Sequence, residues 1–298
     1  MKFSIEQFLE LRAARLEGQN LTELITKWGI PIDFEVISLI YEMQAGTYTT
    51  YANENPEFTE RFAKEISETL SKYISKESTI LDCGTGESNI FIPILKNLGI
   101  KSGVGIDASI SRLTWAKNNA VSSGLDLKLA AADFGRLPLP DKSVDAVLTV
   151  HALEPNGGRE CDLIRELGRV ARKYIFLVEP DFENASSQQK LRMDKLNFVR
   201  NLDGAIAQSG FSISEKVPVN NNSRVLNSAS ITVVEISQSD PIKSVGLDWV
   251  DPIFRQPLIE FENGLYNGMG LWYPIIRGIP LLCDSDAKYL YSPTPKFF

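Results

Sequence analysis

The sequence is poor in the residues that most often build metal centres and cross-links. Its 298 residues include one histidine and three cysteines. The cysteines, Cys83, Cys161 and Cys283, are odd in number and widely spaced. Neither a disulfide framework nor a CxxC metal site is indicated, so no metal is expected and a cytoplasmic setting is the natural one. Long apolar runs are also missing. No stretch approaches the ~20 residues of a membrane-spanning helix, and the opening MKFSIEQFLELRAARLEG carries acids throughout, without the apolar core of a secretory signal. Basic charge is in deficit: 31 lysines and arginines face 38 aspartates and glutamates, a net charge of −7. That balance argues against a broad grip on nucleic acid. No repeat or low-complexity tract appears.

What is present is an ordinary core-forming composition, 43% hydrophobic and 23% charged. It suits one large α/β domain with additions, or two unequal domains. Three zones are expected. Residues 1–75 form a helical extension, with helices over Phe3–Leu16, Leu21–Trp28 and Pro56–Ile74. The last carries Phe58, Phe62, Ile66, Leu70 and Tyr73 at steps of three or four, an amphipathic stripe. The tyrosine-dense IYEMQAGTYTTYANENP between them predicts a loop, and Tyr41, Tyr48 and Tyr51 either form a lid or pack the helices.

Residues 76–238 alternate short apolar runs with helical patterns. Strands are expected at Thr79–Cys83, Gly103–Ile106, Leu127–Ala130, Ala146–Val150, Tyr174–Val178, Phe211–Val219 and Ser228–Ile236. Helices are expected at Asn89–Leu98, Ser109–Ser122, Arg159–Arg172 and Ser187–Gln208. The rhythm predicts a doubly wound, mostly parallel seven-stranded, Rossmann-like sheet with helices on both faces. The turn-rich Asn220–Ser223 predicts a hairpin, and so an antiparallel strand at the sheet edge. Residues 246–298, rich in Pro, Gly and aromatics, predict a small β-rich C-terminal domain.

Three signals carry chemistry. ILDCGTGESN places Asp82 at a strand end, then Gly84 and Gly86 in a turn into a helix. Such a turn sits where open α/β sheets bind ligands, although it can also be only a tight turn. Asp107, 21 residues after Gly86, ends the next strand in GVGIDAS, where it can accept both ribose hydroxyls of a nucleoside or cap the following helix. Asp133 with Phe134 follows the third strand, where an aspartate can accept from an adenine amine beside an apolar ring. A nicotinamide dinucleotide site fits less well. Its GxGxxG would need glycine at Asn89, and Asp82 is poorly placed beside a pyrophosphate but well placed for an ammonium.

These residues resemble the class I S-adenosylmethionine-dependent methyltransferases. ILDCGTGES looks like their glycine-rich first motif, GVGIDAS like their ribose-binding strand end, and DFGRLPLPDKSVDAVLTVHAL like their third and fourth strands. The resemblance implies that Gly84, Thr85 and Gly86 line the methionine portion of the cofactor, with Asp82 near its amino group. It implies Asp107 and Ala108 at the ribose, Asp133 and Phe134 at the adenine, and Val150 at the cleft wall. One departure is Ser88 in place of the usual third glycine, which either widens the loop or offers a hydroxyl to the cofactor.

The acceptor is expected at VHALEPNGGRE after the fourth strand. There the only histidine, His151, stands beside Glu154, Asn156 and Arg159. His151 can act as a general base with Glu154 orienting it, or Glu154 can be the base; a hydrogen-bonded strand-end histidine is the plainer alternative. Arg159 and Glu160 read as a helix-start ion pair. Glu179 and Asp181 in VEPDF either contact a polar substrate or cap the next helix. Arg165, Arg169, Arg172 and Lys173 read as one solvated helix face.

DPIFRQPLIEFENGLYNGMGLWYPIIRGIPLL is similar to the small zinc-ribbon-like domain of some methyltransferases, but Asp251-Pro252-Ile253-Phe254 stands where a CPxC would supply ligands. A metal-free version serving packing, dimer contact or substrate selection is expected. The whole also resembles methyltransferases of surface-polysaccharide gene clusters, which implies a small-molecule acceptor such as a sugar. The alternatives are a non-catalytic cofactor-binding or scaffolding module, and an RNA or protein methyltransferase.

Overall fold

The structure, a computed structural model, describes residues 2–221, 228–236 and 246–290. The chain opens with five helices: α1 (Ile5–Leu16), α2 (Leu21–Lys27), α3 (Phe34–Met43), α4 (Thr47–Glu54) and α5 (Pro56–Leu70). Local chemistry sets their ends. Ser4 and Gln7 form a capping box on α1, Asn20 caps α2, Asp33 caps α3, and Pro56 occupies the first turn of α5. Phe62, Ile66 and Leu70 of the expected α5 stripe are buried.

The tyrosine-dense segment is not a loop; it holds the end of α3 and all of α4. Its breakers stand at helix ends rather than inside helices. Gly46, at φ +90°, separates α3 from α4, and Asn55-Pro56 separates α4 from α5.

The central strands are β1 (Ile80–Cys83), β2 (Ser102–Asp107), β3 (Asp126–Ala131), β4 (Val144–Val150), β5 (Ala171–Pro180), β6 (Ser212–Pro218) and β7 (Ala229–Glu235). Between them run α6 (Phe91–Asn97), α7 (Ile110–Ser122), α8 (Glu160–Val170), α9 (Ser187–Lys195) and α10 (Leu202–Gln208). The sheet order is β3-β2-β1-β4-β5-β7-β6. Only the pairs made by β7 are antiparallel. The antiparallel strand is therefore one place in from the edge, because β7 turns back between β5 and β6. Part of the predicted hairpin turn, residues 222–223, lies outside the described residues, as do 291–298 of the C-terminal zone.

Two other expectations change. The predicted helix over 187–208 is two helices. Asn197 and Asn201 take left-handed backbone (φ 51° and 48°), and Asn201 caps α10; asparagine tolerates that conformation better than most residues. The four basic residues do not share one solvated helix face. Arg172 and Lys173 lie in β5 against Asp145, and Arg169 is clamped by Glu166, Asp141 and the carbonyls of Leu137 and Leu139.

The C-terminal residues form a second, antiparallel sheet of β8 (Ile259–Phe261), β9 (Gly264–Tyr266), β10 (Leu271–Ile276), β11 (Ile279–Pro280) and β12 (Lys288–Tyr289). It is built onto the β3 side of the main sheet. Leu282 donates its N–H to the Ala131 carbonyl, and Ile279 packs with Leu113, Ala116 and Leu129. Leu265, Leu271, Tyr273 and Leu282 share one buried cluster with Leu137, Leu139 and Leu163. The fully buried Asp251 accepts from the backbone N–H groups of Ile253, Phe254 and Gln256 at 3.1, 2.7 and 2.8 Å. The carboxylate closes the turn with hydrogen bonds.

Candidate cofactor and acceptor site

The carboxyl ends of β1, β2, β3 and β4 meet at one edge of the sheet. After β1 the chain bends sharply. Gly84 and Gly86 take left-handed backbone (φ 77° and 55°), and a Cβ at Gly84 would clash with Ala152. Glycine is required on both counts. The N–H groups of Gly84 and Thr85 donate to the Ile106 carbonyl at 2.7 and 3.0 Å, tying the bend to β2. Ser88 also takes left-handed backbone (φ 57°) and is fully buried. Its hydroxyl pairs with that of Thr85 at 2.8 Å, so it braces the bend from inside instead of offering itself to a ligand.

Asp82 is buried, and its Oδ1 has no hydrogen-bond partner. Burial pushes its carboxyl up to about 7, helped by the like charges of Asp107 and Glu179. Glu179, at the end of β5, resembles it. Oε1 accepts from Ala152 and Leu153 N–H at 3.0 and 3.1 Å, Oε2 is buried and unpartnered, and burial raises this group to about 7 as well. Glu179 therefore neither caps a helix nor faces open solvent; it fixes the turn after β4. Asp181 accepts from Asn184 and faces Lys216, while Ser186 caps α9.

Asp107 accepts from Gly86 N–H and from Ser109 N–H, each at 2.9 Å. Ser109 caps α7, so Asp107 faces the bend and not the helix. Ala108 sits half-buried beside it. At the end of β3, Asp133 accepts from Gly135 N–H at 2.8 Å and lies 3.5 Å from Arg159. Arg159 thus pairs across the cleft, and Glu160 instead accepts from Gly158 and Arg200 N–H. Phe134 packs against the main buried cluster, and Val150, half-buried, against the other face. Asp82 lies near the end of β1, Asp107 ends β2 and Asp133 follows β3 by two residues, and these three strands lie side by side.

On the acceptor side His151 has left-handed backbone (φ 52°), and its N–H is held by the Val178 carbonyl at 2.9 Å. Its Nδ1 lies 3.1 Å from Glu154 Oε2, and its ring stacks on Phe62 with centroids 6.3 Å apart. Phe58 stacks on Phe62, and Tyr51 meets Phe58 edge-on. The carbonyl of Glu154 accepts from Val199 N–H, and Gly157 N–H donates to the Asn197 carbonyl. The break between α9 and α10 thus docks on the histidine loop.

No feature of the sequence singled out Arg112. It reaches back from α7, is 9% exposed, and its guanidinium lies against Gly86, 3.8 Å from Asp107 Oδ2 and over the rings of Tyr41 and Tyr48. Burial works against its charge, but Asp107 and the two tyrosines hold its pKa above the usual arginine value. Tyr41 is displaced upward in turn by burial, with Tyr48, Glu154 and Asp107 adding to the effect.

The residues fit a cationic group beside the bend, where Asp82 Oδ1 and Glu179 Oε2 are buried without partners, while Ala152 packs against Gly84 and Arg112 against Gly86. Asp107 stands next to the bend, 3.8 Å from the Arg112 guanidinium. Residues 80–173 match the model of the methyltransferase domain. No curated protein matches the chain in sequence. Among solved structures, the magnesium protoporphyrin IX methyltransferase of Synechocystis PCC 6803, with bound SAH, is similar at 15% identity. That match covers 69% of this chain and 100% of that one, with a TM-score of 0.51. A chain from the Haloferax volcanii complex that contains the Trm112 methyltransferase activator is also similar, at 15% identity over 65% of this chain and 98% of that one, with a TM-score of 0.50. Residues 80–173 thus resemble a methyltransferase domain, on the fold of a methyltransferase crystallised with SAH.

Proposed function

We propose that the protein transfers the methyl group of S-adenosylmethionine to an oxygen or nitrogen of a small polar acceptor. The observation that carries this reading is the buried, unpartnered carboxylate oxygen of Asp82 beside a glycine bend. Leaving such an oxygen unpaired costs roughly 1–3 kcal/mol, a cost that a cationic ligand removes. The sulfonium supplies an already activated methyl group, so the protein's part is binding, alignment and exclusion of water. Asp82 and Glu179 would face the cofactor's ammonium, Asp107 its ribose, and Asp133 its adenine.

Glu154 lies 3.1 Å from His151 Nδ1, so the pair supplies the base for the acceptor's proton, either the imidazole oriented by Glu154 or Glu154 itself. The His151 ring stacks on the buried Phe62, with Phe58 and the exposed Tyr51 beyond it. An aromatic surface beside a few polar groups suits a ring-shaped acceptor with hydroxyls. The resemblance to methyltransferases of surface-polysaccharide gene clusters favours a sugar. A second reading, a module that keeps the fold without turnover, is favoured by Arg112 in the nucleoside space. Incubation with methyl-labelled S-adenosylmethionine and a panel of free, nucleotide-linked and lipid-linked sugars separates the two. Label transfer to one acceptor class, lost in His151→Asn, supports the enzyme. Cofactor binding without transfer to any acceptor supports the module.

A further inference from the structure

The Arg112 guanidinium is held as a ligand is held. It lies 4.9 Å from the Tyr41 ring centroid and 4.6 Å from that of Tyr48, with Asp107 Oδ2 at 3.8 Å. Its Nε is buried and makes no hydrogen bond. An aromatic pair and one carboxylate bind a cation by its charge rather than by a particular hydrogen-bond pattern. An unpartnered Nε shows that the fit is not tailored to guanidinium, which normally saturates its donors when buried.

The cage has one wall from the sheet, Asp107, and one from the N-terminal helices, Tyr41 and Tyr48. Carboxylates tie these two walls together. Glu87 accepts from Gly46 N–H at 2.8 Å and from the N–H and hydroxyl of Thr49, and Glu42 accepts from the hydroxyls of Ser109 and Ser111.

We propose that Tyr41 and Tyr48, beside the Asp107 carboxylate that would hold the ribose, form a cation cage for the adjoining sulfonium, and that Arg112 is its resident occupant, exchanged for the cofactor on binding. This rests on reading the cleft as an S-adenosylmethionine site. The cage accounts for a basic side chain standing where a cationic cofactor would be repelled: Arg112 keeps the tyrosines closed over the acids and leaves when a second cation arrives. It also assigns Tyr41 and Tyr48 to the cofactor and not to the acceptor.

The exchange moves the wall that carries Gly46. A Cβ on that residue would sit 3.3 Å from the Trp115 indole, so Trp115 reports on the α3–α4 segment.

The test is calorimetric titration of the full-length protein with S-adenosylmethionine, which is cationic at sulfur, and with S-adenosylhomocysteine, which is not. The same titrations are followed by tryptophan fluorescence, with Trp115→Phe as the control that removes the signal. Arg112→Gln is expected to bind both ligands about tenfold more tightly than wild type, and Arg112→Lys to resemble wild type. Tyr48→Leu and Tyr41→Leu are expected to lower the preference for the sulfonium over the thioether about fivefold, and Tyr48→Phe to restore it. Weaker binding of both ligands by folded Arg112→Gln overturns the exchange, since Arg112 would then be a contact of the ligand. An unchanged ligand preference in both leucine variants overturns the cage while leaving the cofactor site standing. Absence of binding by wild type and every variant, with native circular dichroism, overturns the methyltransferase reading itself.

Discussion

Oδ2 of Asp107 lies 2.9 Å from the backbone nitrogen of Gly86. The acid at the end of β2 thus holds the glycine bend after β1. One carboxylate both shapes the cradle and faces the place expected for ribose.

Removing that acid is expected to weaken S-adenosylhomocysteine binding by about 100-fold in Asp107→Ala, with a smaller loss in Asp107→Asn, whose Oδ1 can still accept from Gly86. A charge-assisted hydrogen bond is worth about 1.5–3 kcal/mol, which is roughly one to two decades of affinity. Equilibrium titration of both variants checks the order.

The raised carboxyls of Asp82 and Glu179 carry a pH signature. Their ordinary values are 3.8 and 4.5, and burial lifts both to about 7. Between those limits the folded protein holds protons that the unfolded chain has lost. The stability they give is therefore full below pH 4 and falls as pH rises through 7. The melting temperature of the unliganded protein is expected to drop over this range, and less so in Asp82→Asn. Affinity for S-adenosylhomocysteine is expected to run the other way, rising up to about tenfold per pH unit below 7 as the acids ionise.

His151 is suited to a single informative replacement. Its φ of 52° favours asparagine over alanine as a substitute. His151→Asn is expected to lower turnover by about 10²–10⁴-fold with little change in cofactor affinity. Glu154→Gln is expected to cost less and to shift the acid limb of the rate profile. A parallel loss of cofactor affinity in His151→Asn would place the histidine in a structural role.

Ile279 is fully buried against Leu113, Ala116 and Leu129. Ile279→Ala is expected to destabilise the whole protein by about 2–5 kcal/mol in a single transition, because the C-terminal sheet shares its core with the main one. Two separate melting transitions in thermal denaturation would contradict that.

The central sheet was legible because apolar runs such as Thr79–Cys83 and Ala146–Val150 have one stable use, a strand covered on both faces. The place of β7 was not, since the hairpin pattern is the same whether a strand ends outside its partner or turns back inside it. Gly46, Asn55 and Pro56 suggested a loop at 40–56, yet breakers between two short helices leave the same composition as breakers within one loop. Asp82, Asp107 and Asp133 stood out in the sequence because each lies at or just after the end of an apolar run. Arg112 was missed because its position on α7 reads as surface until the N-terminal helices close over it. Ser88 has the backbone that a third glycine would supply, and only the Thr85 contact shows how a side chain is housed there.

The most direct measurement is the structure of the protein with S-adenosylhomocysteine, supported by titration of Asp82→Asn. The account predicts the amino acid end of the ligand against Asp82 Oδ1, the ribose on Asp107, Arg112 withdrawn from Gly86, and affinity lost in Asp82→Asn. A ligand bound elsewhere, with Arg112 still against Gly86 and Asp82→Asn binding as wild type does, would contradict it.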